Sequence, residues 1–130
     1  MGGHRPGASD SLKACIKRLR KIGYDAHLIV GHSQQENIIA AVRKLGPYDA
    51  AFIDGDHQIT GVTRDWKNYG KMSRIVSFHD VGWKRPEGYA NSKIVEVPEL
   101  WNKLKKKYRA EEFIDRSTGG NMGIGVVWTR

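Results

Sequence analysis

The sequence predicts an α/β fold on a mostly parallel sheet, and three observations carry that prediction. Amphipathic helical stretches alternate with short apolar runs along most of the 130 residues. Two of those runs, Asp49 to Ile53 and Arg74 to Phe78, open onto clustered acidic and imidazole side chains. The last two strand-like segments, Glu111 to Asp115 and Met122 to Trp128, flank a Ser-Thr-Gly-Gly-Asn turn region and predict an antiparallel hairpin.

In chain order, residues 1–9 are Gly-rich and predict a loose lead-in. Ser9 or Asp10 can cap a helix running to about Ile22. Leu12, Cys15, Ile16 and Leu19 fall on one helical stripe with basic residues on the other face, so Cys15 is expected to be a buried thiol. Gly23 ends this helix, and Ala26 to Val30 is expected to be a strand. A second helix spans about Gln35 to Leu45, with Ile38, Ala41, Val42 and Leu45 in phase and Gly46-Pro47 as its stop. The strand Asp49 to Asp54 follows. A third helix, Ile59 to Tyr69, places Ile59, Val62, Trp66 and Tyr69 on one side, with Trp66 as core or half-buried packing. Arg74 to His79 is the next strand. Residues 80–95 form a long connection with a lid-like composition, in which Trp83 and Tyr89 could wall a pocket. Pro98 starts a last helix whose inner face carries Val97, Leu100, Trp101, Leu104 and Tyr108.

Composition narrows the function classes. A hydrophobic content of 39% fits a globular chain and not a disordered one. No apolar run nears the ~20 residues of a membrane span, and MGGHRPGASD lacks the apolar segment of a signal peptide. The single cysteine allows no internal disulfide and no cysteine metal cluster. A cytoplasmic location is the expectation. The net charge of +8 suits nucleic acid or an anionic ligand, with Lys103 to Arg109 as the densest cluster. A basic helix face is more often solvated surface, so nucleic acid is the less favoured partner.

The chemistry concentrates in two places. YDAAFIDGDH (Tyr48 to His57) ends in Asp54, Gly55, Asp56 and His57, and RIVSFHDV (Arg74 to Val81) ends in His79 and Asp80. Charge is costly to desolvate, so a buried strand ending this way suggests a site. If the two strands are parallel neighbours, their ends lie about 5 Å apart, and Asp54 and Asp80 converge where open α/β sheets bind ligands. The competing account makes each Asp a cap for the next helix or turn. The glycines at Gly2, Gly3 and Gly7 have no strand before them, and GGNMGIG (Gly119 to Gly125) has no helix after it. Neither has the context of a phosphate loop.

With these motifs in place, residues 26–130 resemble the later two thirds of a class I S-adenosylmethionine-dependent methyltransferase. FIDGDH and VSFHD are most similar to the small-domain methyltransferases related to those of cephamycin biosynthesis. GHSQQENI resembles the GxSQ segment of catechol O-methyltransferase, and the hairpin ending NMGIGVVWTR resembles the antiparallel last strand of that fold. The resemblance implies a Rossmann-like fold and methyl transfer to a small-molecule or sugar hydroxyl. It implies Mg2+ or another divalent cation on Asp54, His79 and Asp80, with His79 standing where relatives carry an acid. It implies Asp56 as general base, with His57 as competitor, and S-adenosylmethionine held by His32, Ser33, Gln34, Asp54 and Gly55. The family's Gly-rich first strand and ribose-binding second strand have no counterpart in the sequence. The chain is therefore expected to be a single partial domain: a fragment, a diverged short protein, or one completed by a complementing chain, with exposed sheet edges favouring a homo-oligomer. The alternative is a basic α/β binding module or an inactive remnant that holds nucleic acid or an acidic partner.

Overall fold

The computed structural model describes residues 8–84, 94–117 and 122–130. The chain divides into two compact units, Met1–His32 and Ser33–Arg130. Among the described residues, no helix is long and apolar enough to cross a membrane.

The first unit contains helix α1, Ala8–Lys21, with Asp10 in its first turn and Arg18, Arg20 and Lys21 in its last. These charges complement the helix dipole. Gly23 adopts φ +96°, and beyond it Arg20 Nε donates to the carbonyl of Ala26 at 2.7 Å. Two expectations are corrected here. Ala26 to Val30 is not a strand, because it has no ladder partner among the described residues, and Val30 is exposed. Cys15 is exposed rather than buried, as is Leu12 beside it on the apolar stripe. Helical periodicity alone does not supply a covering surface.

The second unit contains α2 (Glu36–Leu45), β1 (Tyr48–Ile53), α3 (Ile59–Tyr69), a 3-10 turn (Gly70–Met72), β2 (Ser73–His79), α4 (Val97–Leu104), β3 (Arg109–Phe113) and β4 (Ile124–Trp128). The four strands form one sheet in the order β1-β2-β4-β3. Only β1 and β2 pair in parallel; β4 is antiparallel to both β2 and β3. The fold is thus α/β on a mixed sheet, in which β1, β2 and β3 run one way and β4 the other. The crossover through α3 makes the parallel pair, while the closing hairpin turns back and inserts β4 beside β2. That hairpin pairs Arg109 with Trp128 and Phe113 with Ile124, so its first strand starts two residues before Glu111.

The core lies on one face of the sheet, under α3 and α4. Alternation along β2 turns Val76 and Phe78 inward, where they meet Val62 of α3 and Val97, Leu100, Trp101 and Leu104 of α4. Burying each of these large side chains contributes about 1.5–3 kcal/mol. Phe78 sits between two indoles, its ring centroid 5.8 Å from Trp66 and 6.4 Å from Trp101. Trp66 is half-buried against this cluster. Trp101 is seated by β4: a Cβ on Gly125 would stand 2.8 Å from its ring carbons, so only glycine admits the indole there. Trp101 Nε1 then donates to Glu112 Oε1 at 2.6 Å, and Lys105 Nζ donates to the same oxygen at 2.5 Å.

Gly125→Ala should therefore destabilise the fold by about 1–3 kcal/mol through overpacking, measured as a lowered urea midpoint at unchanged m-value. The hydrogen bonds from Lys105 and Trp101 hold the Glu112 carboxyl below its usual range. Its stabilisation is then present above the ordinary glutamate pKa and is lost as pH falls through the lowered one. Glu112 is partly exposed, so the effect is modest; Glu112→Gln should flatten the acid limb of a stability-versus-pH curve and leave the neutral limb's slope unchanged.

Candidate metal centre

The parallel ladder sets the site. β1 and β2 run in register to the pair Ile53 and Phe78. Asp54 is the first residue beyond β1, His79 is the last of β2, and Asp80 follows it. Asp80 has φ +62°, a left-handed conformation that side chains other than Gly, Asn and Asp rarely adopt. Its side chain is buried: the residue is only 6% exposed.

The side chains converge there. His57 Nε2 lies 2.9 Å from Asp80 Oδ2 and 3.7 Å from Asp54 Oδ1. His79 Nδ1 lies 2.9 Å from Asp80 Oδ1 and 3.6 Å from Asp54 Oδ1. Donor atoms of Asp54, His57 and Asp80 all fall within 4.8 Å of one another. Ligands held at about 2.1 Å from one metal ion are spaced roughly 3.0–3.5 Å apart, which is close to these separations. One observation tests the fit independently. Asp80 Oδ1 is fully buried and accepts no hydrogen bond among the described residues, while His79 Nδ1, 2.9 Å away, forms an ion pair with it only when protonated. A buried carboxylate oxygen without a hydrogen bond costs several kcal/mol unless a proton or cation answers it.

Two further side chains brace the loops. The backbone N–H of Glu96 donates to the carbonyl of His57 at 2.7 Å, and Glu96 Oε2 accepts the N–H of Ile59 at 2.8 Å. Glu96 thus ties the His57 loop and the first turn of α3 to the start of α4. Asp65, buried on α3, accepts the hydroxyl of Ser33 at 2.8 Å, and its other oxygen lies beside Gly55. The Tyr69 hydroxyl donates to the carbonyl of Ser33. Burial, and then the nearby Asp65 carboxylate, push the Tyr69 pKa up.

Of the residues proposed from sequence, Asp54, His57, His79 and Asp80 come together. Asp56 turns away: its Oδ1 accepts the N–H of Gln58 at 2.9 Å, an Asx turn ahead of α3, and its carboxyl packs against Gly61. Ser33 and Gln34 are gripped by α3 through Asp65 and through Arg64 Nη1, 2.9 Å from Gln34 Oε1. His32 is the last residue of the first unit. Trp83 is half-buried, and Tyr89 lies outside the described residues, as does most of the 80–95 connection. Glu96 and Asp65 were not anticipated. Asp65 had a signal: it lies three residues after Val62, on the inward face of α3, where an acid needs a reason. Glu96 had none, since its contacts are long-range.

Compared with family models, curated proteins and solved structures, the chain matches none.

Asp80→Asn keeps the size of the side chain and tolerates the left-handed backbone while removing the buried charge. It should weaken Mn2+ binding at least about 100-fold by calorimetry, with the urea midpoint unchanged or raised. Retained affinity would mean that these side chains do not form a metal centre.

Proposed function

We propose that this chain supplies the cation- and acceptor-side portion of an S-adenosylmethionine-dependent O-methyltransferase. The observation that carries the reading is the convergence of Asp54, His57 and Asp80 at the carboxyl ends of two adjacent parallel strands. The antiparallel last strand, β4, lends support through its likeness to the closing pattern of that Rossmann-like fold.

In this reading Asp54, His57 and Asp80 hold a divalent cation, and His79 steadies Asp80 from the side. A bound cation would lower the pKa of an acceptor hydroxyl and orient it. An imidazole among the ligands suits a first-row ion such as Mn2+ better than Mg2+, which prefers oxygen. Methyl transfer is an in-line displacement: the acceptor O–H gives up its proton, a new C–O bond forms, and the C–S bond of the sulfonium breaks. The segment of Ser33 and Gln34, fixed by Asp65 and Arg64, is the place for the adenine end of the cofactor. The acceptor is a small-molecule or sugar hydroxyl.

A second reading rests on the 2.9 Å contact between His57 Nε2 and Asp80 Oδ2. Asp80 would then orient the imidazole without a metal, and His57 Nδ1 would take the hydroxyl proton.

Methyl transfer from labelled S-adenosylmethionine to catechol and sugar acceptors, run with Mn2+, with Mg2+ and with chelator, separates the two. Under the metal reading, activity is higher with Mn2+ than with Mg2+, is abolished by chelator, and falls at least about 100-fold in Asp54→Asn. Chelator-resistant activity that is lost in His57→Gln supports the metal-free pair. If calorimetry shows no cofactor binding and no acceptor is methylated, the methyltransferase proposal is wrong.

A further inference from the structure

At the edge of the sheet opposite Asp54 and Asp80, the second unit forms a cleft of about 420 Å³ lined by Arg43, Gly46, Pro47, Lys67, Lys71 and Arg130, among others. Topology fixes the location. Gly46 and Pro47 lead into β1, Lys71 leads into β2, and Arg130 follows the antiparallel β4. Four of the lining residues carry cationic side chains and none carries an acidic side chain. Among the described residues, none of the four cations is in an ion pair. Arg43 and Lys67 fall in the last turns of α2 and α3, where they answer the negative ends of those helix dipoles. Lys71 falls in the 3-10 turn that continues α3, and Arg130 lies beyond β4. Positive groups crowded about one cleft repel one another, and a bound anion removes that penalty.

A second observation points to what else the ligand carries. An adjoining pocket of about 200 Å³ shares Lys71 and Arg130 with the cleft and is walled by Trp66 and Tyr108. The two rings meet edge to face with centroids 5.5 Å apart. Gly70 makes room for Trp66, since a Cβ there would collide with the indole. The cationic cleft and the aromatic slot therefore meet at the same two side chains. A simple anion would use only the first and an apolar molecule only the second. A phosphate joined to a planar base uses both.

We propose that this groove binds a nucleotide unit, with its phosphate among Arg43, Lys67, Lys71 and Arg130 and its base against Trp66 and Tyr108. The site is separate from the metal centre and does not depend on methyl transfer. The nucleotide can be free or part of a single strand, and the same experiment tells which.

The full chain is titrated with uridine monophosphate, with inorganic phosphate and with a labelled short oligouridylate, following anisotropy and tryptophan fluorescence. Lys67→Glu/Lys71→Glu, at two exposed positions, should weaken nucleotide binding at least about tenfold and flatten its salt dependence. Lys103→Glu/Lys106→Glu, the same charge change on α4 and the turn after it, should alter it less than about twofold. Nucleotide, and not inorganic phosphate, should quench fluorescence, and Trp66→Phe should abolish the quench. Oligouridylate binding far more tightly than the monophosphate assigns the groove to single-stranded nucleic acid; equal affinities assign it to free nucleotide. The proposal falls if inorganic phosphate competes as well as the nucleotide, if both charge reversals weaken binding equally, or if nothing binds at low salt.

Discussion

The register of the β1–β2 ladder is the constraint on which the site depends. Pairing runs to Ile53 and Phe78, so the residues just beyond are Asp54 on one strand and His79 and Asp80 on the other. A slip by one residue would turn Phe78 out of the core and Asp80 away from His57, because side chains alternate faces. The core holds the register in place. Phe78 and Val76 are fixed between α3 and α4, and Trp101 fits over Gly125 and nowhere that a side chain would stand. The convergence of Asp54, His57 and Asp80 is in this sense a by-product of hydrophobic packing two residues away.

Much of this was legible in the sequence, for physical reasons that differ by element. The helices α2, α3 and α4 announced themselves through apolar residues three and four apart, and the two parallel strands through short apolar runs ending in charge. Asp54 and Asp80 could be paired in advance because strand spacing is fixed. The sheet's mixed character was half visible: the hairpin was expected, but its insertion beside β2 depends on long-range packing. The failures share a cause. Ala26 to Val30 and Cys15 had the right local pattern and lacked a partner, and pattern cannot show what covers a face. Asp56 shows the ordinary turn-forming habit of aspartate, accepting the N–H of Gln58 ahead of α3.

The second unit places its charge asymmetrically along the strand axis. Carboxylates and imidazoles gather at the carboxyl ends of β1 and β2, while arginines and lysines gather at the amino ends. The arrangement follows from connectivity. The loops leaving the parallel strands carry the acids, and the α-helices that precede those strands deliver cations at their C-terminal turns.

Asp80 has a consequence for how this sequence can drift. Its backbone conformation is one that glycine occupies without strain and asparagine tolerates well, so both replacements are a short step away and neither threatens the fold. If Asp54, His57 and Asp80 hold a cation, exchange at this one position would remove a ligand while the left-handed backbone stays in place.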